Sequence, residues 1–138
     1  MDEYLVNRVL TASPHQLHLM VVEACLRHMR AAEAALEDDA FDKAHTALDE
    51  ARRHLSHLLG GLNPEADDEF MVNLRGLFKL AFRQLTLADI DHQTDHVRSA
   101  ISVVASHRET WTLLIDELSG AEPVAAAAAP TGRLTISA

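Results

Sequence analysis

Apolar residues recur along this chain at helical spacing in four separate stretches. The clearest runs Phe41, Ala44, Leu48, Ala51, Leu55, Leu58, Leu62, in steps of 3, 4, 3, 4, 3, 4, the seam of a bundle helix. A preceding helix is predicted from Ser13 to Leu36. Ser13 suits the N-cap, Pro14 the first helical position, and Gln16 completes a capping box. The stretch EDDA (37–40) breaks it. The second helix ends at GGLNP (60–64), where glycine can cap and Pro64 blocks continuation. A third is predicted from Ala66 to Ala88, with Asp67, Asp68 and Glu69 where the helix dipole favours acids. After DIDHQT (89–94) a fourth runs to Leu118 on Val97, Ala100, Ile101, Val104, Trp111 and Ile115. Short connections make neighbours antiparallel. The prediction is an all-α, up-down-up-down four-helix bundle over 13–118. Residues 1–12 precede it as an N-terminal segment, one candidate cover for the bundle. From 119 the sequence SGAEPVAAAAAPTGRLTISA reads as a flexible Ala/Pro-rich tail.

The first and third stretches carry more apolar residues than one stripe holds. On a helical wheel Leu17, Met20, Val21, Ala24, Ala31 and Ala35 fall on one face of the first helix, and Leu19, Val22, Leu26 and Met29 nearly opposite. The former is read as the core stripe and the latter as an outward strip. In the third helix the core stripe is read as Phe70, Leu74, Leu77, Phe78, Ala81, Leu85 and Ala88. Leu80 and Leu87 lie off it, and Met71 and Phe82 widen its other flank. Four wet aliphatic side chains would each forgo about 1.5–3 kcal/mol, so the outward strip predicts a cover. Three candidates offer themselves: the N-terminal segment (Tyr4, Leu5, Val6, Val9, Leu10), a second copy, or a partner's helix.

Composition narrows the function classes. A length of 138 residues suits one domain. Twelve basic against 21 acidic residues give a net charge of −9, which repels phosphate backbones and anionic lipid and argues against nucleic acid. Cys25 is the sole cysteine, so no intrachain disulfide can form. No signal-peptide pattern and no membrane-length apolar run is present. A soluble, cytoplasmic protein without membrane insertion is expected.

Nine histidines raise the question of metal. His15/His18 and His54/His57 are i, i+3 pairs and His92/His96 is i, i+4, spacings that share a helix face. No cysteine or carboxylate set is expected to complete a tetrahedral site in one place, and the Glu-x-x-His pattern of di-iron bundles is absent. The histidines are therefore read as solvated, with His28 and His107 nearer the core. Cys25 is read as buried and inert, Trp111 as a core anchor, and Glu23 as solvent-facing. No nucleophile–base order or phosphate loop appears. No catalytic, cofactor or metal residue is assigned.

The order of short motifs resembles a known family. Tyr4, Val9, Thr11, Ala12, Ser13, Pro14 and Leu17 match its opening, followed by Leu19 and Met20. Asn73, Leu74, Leu77 and Phe78 match its middle, then Leu85 and Ala88. Arg108, Glu109, Thr110 and Trp111 match its close. From Tyr4 to about Leu114, without gaps, the chain resembles the flagellin-specific export chaperones, the FliS family. It departs from the family at Val22 and Leu80, where tyrosine is common, at Asp89, where Asn is common, and at Gln93, where Asp is.

The resemblance implies a non-enzymatic four-helix bundle that binds the C-terminal segment of flagellin in the cytoplasm. It prevents early polymerisation and passes the client to the type III flagellar export apparatus, whose gate components are further partners. It also implies an N-terminal segment that acts as a movable cover. Combined with the apolar surplus, this assigns Leu19, Val22, Leu26 and Met29, with Leu80 and Leu87, to the client surface, and Tyr4 and Val9 to its cover. The alternative is a helical dimerisation or adaptor protein without a flagellin client, whose outward strip meets itself. Monomer and weak homodimer both fit the residues.

Overall fold

The computed structural model describes residues 3–4 and 12–120. Among them run four long helices: α1 (Pro14–Glu37), α2 (Phe41–Gly60), α3 (Glu69–Asp91) and α4 (Thr94–Gly120). Each packs against its neighbour in sequence, and α4 closes the ring on α1. This is the predicted all-α bundle. Most of the N-terminal cover and the tail from 121 onward lie outside the described residues.

Local chemistry sets the helix ends. Ser13 accepts from the backbone N–H of Gln16 at 3.1 Å, and the Gln16 side chain accepts from the Ser13 N–H at 3.0 Å, the reciprocal box expected from the sequence. Asp39 closes α1 with φ at 54°, a left-handed conformation that Asp tolerates better than most residues. The α3 helix starts at Glu69, later than Ala66, because Asp68 is its cap and accepts from the Met71 N–H at 3.2 Å. Arg75 ties the preceding connection down, donating to the carbonyls of Asn63 (2.9 Å) and Ala66 (2.7 Å). His92 ends α3 at φ 61°, and its ring stacks on Phe41 at 4.0 Å. Phe41, expected in the α2 seam, therefore sits half outside the bundle. The rest of that seam, Ala44 to Leu62, is buried.

The core reverses the expected faces of α1. Its buried positions are His15, His18, Val22, Cys25, Leu26, Met29, Ala32 and Leu36. Without Leu26 these step 3, 4, 3, 4, 3, 4, an unbroken seam. Val22 and Met29 have no exposure and Leu26 has 1%. The strip read as outward is the interior. The face read as core, with Leu17, Met20, Val21, Ala24, Ala31 and Ala35, is partly or fully exposed. The physical reason is the two histidines, which fill core positions as neutral aromatic rings.

Those rings form the floor at one end of the bundle. His18 Nε2 meets His107 Nε2 at 2.8 Å. Trp111 donates its indole N–H to the His15 carbonyl at 2.8 Å and packs 4.3 Å from His18, centroid to centroid. Phe78 stands edge-on to His107 at 5.2 Å. Burial, reinforced by the neighbouring His107 and His15, lowers the His18 pKa to about 3, and burial lowers His107 to about 4. The neutral form follows, because an unpaired imidazolium here would lose its hydration. His15 Nε2 and His18 Nδ1 have no hydrogen-bond partner among the described residues. His15 and His18 are thus core residues and not the solvated pair expected. Trp111 is the anchor expected.

Between α1 and α2, Cys25 is buried and its thiol contacts the Ala51 carbonyl at 3.5 Å. Burial pushes its pKa up to about 12. Across the α2–α3 seam, Arg52 reaches Asp89 at 2.7 Å, and His45 reaches the same carboxylate at 2.9 Å. Burial opposes ionisation of Asp89, but these two donors hold its pKa below the ordinary value. Asp89, where the family commonly has Asn, is therefore half of a half-buried ion pair.

Candidate functional site

The α3 helix has an unbroken seam of its own: Met71, Leu74, Phe78, Ala81, Leu85 and Ala88, in steps of 3, 4, 3, 4, 3, all buried. Met71, read as a flank, belongs to this seam. Phe70 and Leu77, read as core, do not. They are 45% and 39% exposed, because a helix seated on Met71 places them roughly 50° and 70° from the seam's centre line, at its edge.

One hydrogen bond orients the outer flank. Gln84 Oε1 lies 2.9 Å from His96 Nδ1 on α4, so Gln84 lies on the side of α3 that borders α4. Leu77, Leu80 and Leu87 lie at i−7, i−4 and i+3 from Gln84, on the same flank. Leu80 is 43% exposed and Leu87 half-buried. Val103 on α4, seven residues after His96, is half-buried as well. The α3–α4 border therefore presents a row of aliphatic side chains that the bundle does not cover. Amphipathic helices dock on such rows, reading them at one anchor per turn.

A second groove lies between α1 and α4, lined by Glu23, Arg108, Glu109, Thr112 and Leu113. Leu113 is exposed there, and three of the five lining residues are charged.

The eight residues assigned from sequence separate into three groups. Leu80 and Leu87 lie off the buried α3 seam, the first exposed and the second half-buried. Val22, Leu26 and Met29 lie in the core, and Leu19 beside them is half-buried. Tyr4 is exposed, whereas Val9 lies outside the described residues. Sequence reading missed Phe70 and Leu77 as exposed positions. The signal was present, since starting the 3/4 stepping at Met71 excludes both.

The chain is of the class of all-α four-helix bundles, with aliphatic side chains exposed along α3. Comparison with known proteins makes the class specific. The model of the family described as flagellar protein FliS matches residues 1–118, and the chain belongs to that family. It is 28% identical over 108 residues to the flagellar secretion chaperone FliS of Bacillus subtilis (strain 168), an alignment covering 78% of this chain and 80% of that one. None of the described helices is long and apolar enough to cross a membrane.

Proposed function

We propose that this protein is a cytoplasmic flagellar export chaperone that holds the C-terminal segment of flagellin against the α3–α4 flank. Membership of the FliS family supports the class. The single observation that carries the location is the row Leu77, Leu80, Leu87, left uncovered beside a fully formed core. A client segment that is disordered alone and amphipathic when helical would bury its apolar face there. Ordering the client opposes binding, so a long contact can still be reversible. A carrier that must hand its cargo to the export apparatus needs that reversibility. Tyr4 and Val9 act as part of a cover over the empty flank. Val22, Leu26 and Met29 support the helix from inside and do not touch the client.

The test is co-purification of the intact chain with a C-terminal flagellin segment. Changing Leu77 and Leu80 together to Asp should abolish capture while circular dichroism remains that of the wild type. Undiminished capture by that folded variant would remove the client from the flank. Light scattering should find one chain per flagellin segment. A tight dimer indifferent to flagellin would instead support a helical adaptor whose flank meets a second copy.

A further inference from the structure

His28 on α1 faces Glu50 and His54 on α2. One donor atom from each lies within 4.8 Å of the other two. The sequence separates His28 from Glu50 by 22 positions, across the turn between two helices, so no local motif announces the set. Glu50 and His54 are i, i+4 and share a face. The His28 and His54 rings lie 5.2 Å apart, centroid to centroid, at 26°. All three side chains are half-buried, closed on the bundle side and open to solvent on the other.

We propose that His28, Glu50 and His54 form a binding site for a first-row divalent metal ion of the zinc class, clamping α1 to α2. Two imidazoles and a carboxylate are a borderline-soft N/O set that suits zinc, cobalt(II), nickel or copper over calcium or magnesium. In a tetrahedral site, donors stand roughly 3.4 Å apart, given metal–ligand distances of about 2.0–2.1 Å. The present spacing needs only small rotamer changes, and half-exposed side chains have room for them. The imidazoles bind metal as neutral rings, and burial foremost, with His28 adding to it, lowers the pKa of His54. The fourth position is left to water.

Two features set the cost. Arg53 donates to Glu50 Oε1 at 3.1 Å, so it must share the carboxylate or release one oxygen. Arg27 lies near enough to act on His54 electrostatically. Both oppose a cation, and the two imidazole lone pairs with the carboxylate charge must outweigh them. The backbone is already in place. Glu50 adjoins Ala51, whose carbonyl meets Cys25, and His28 follows Cys25 by three positions. The donors therefore sit at the rim of a fixed α1–α2 contact and need no backbone movement to converge.

The test uses the full chain, free of any affinity tag and stripped with chelator, titrated with zinc by calorimetry and with cobalt(II) by visible absorption. One equivalent per chain is expected, with an intense cobalt spectrum of low coordination number and a rise in Tm that grows with free zinc. His28→Gln, His54→Gln and Glu50→Gln should each weaken zinc at least about tenfold, since even the loss of an outer partner commonly costs that much. His57→Gln, one turn beyond the set, should leave affinity unchanged. The three ligand variants fail independently, so a misfolded one leaves two to read. No binding by the wild type, or a loss in His57→Gln equal to that in His54→Gln, overturns the site.

Discussion

The first and third helices begin from the same condition, more aliphatic residues than one buried stripe can take, and resolve it differently. α1 buries Val22, Leu26 and Met29 and leaves Leu17 as its one exposed large apolar residue, with Met20 and Val21 half-buried. α3 also builds a complete seam from Met71 to Ala88, yet keeps Phe70, Leu77 and Leu80 outside. The lesson is that surplus apolarity alone does not locate a docking face. A surplus that remains after the seam is complete does.

The widest test of this contrast is a charge placed on each helix. Leu26→Asp buries a carboxylate without a partner, and the bundle should lose its cooperative thermal transition. Even Leu26→Ala should cost about 2–5 kcal/mol. A folded Leu26→Asp protein with wild-type ellipticity would show that α1 does not carry the core.

Acid should act next, through the histidines that make the α1 seam continuous. His18 and His107 stay neutral in the fold down to about pH 3 and 4, against an ordinary value of 6.5. The unfolded chain takes up these protons first. Stability is therefore complete above pH 6.5 and declines as pH falls, until each folded-state pKa is reached. Each group adds up to about 1.4 kcal/mol per pH unit to that decline. Urea midpoints measured from pH 7 to pH 4 should fall steadily, and midpoints that stay level would mean the two rings are hydrated.

The smallest expected effect sharpens the comparison from the α3 side. Leu80→Ser changes a side chain that the bundle does not need, so stability should move by no more than about 0.5 kcal/mol. A larger loss, read from the same urea titration, would place Leu80 in the core after all.

Much of the architecture was legible from spacing and caps. The α2 seam, the Ser13–Gln16 box, the turn at 60–64 and Trp111 as an anchor all follow from local rules, and local rules operate here. The face of α1 was not legible, because reading histidine as polar hides the first two steps of the seam. Whether an imidazole counts as a core ring depends on Trp111 and His107, some 90 residues away in sequence. A separation of 22 residues, from His28 to Glu50, likewise hid the His28–Glu50–His54 set. Leu80 and Leu87 were legible as positions off the buried stripe of α3. Phe70 and Leu77 were lost to a stripe begun one residue early.

The lone thiol of the chain gives the molecule a built-in clock. Cys25 is sealed between α1 and α2 with its proton held against the Ala51 carbonyl, so a thiol reagent can reach it only while those helices are apart. Its rate of alkylation in an otherwise unmodified sample reports how often the pair opens, with no label introduced and no second thiol to confuse the count.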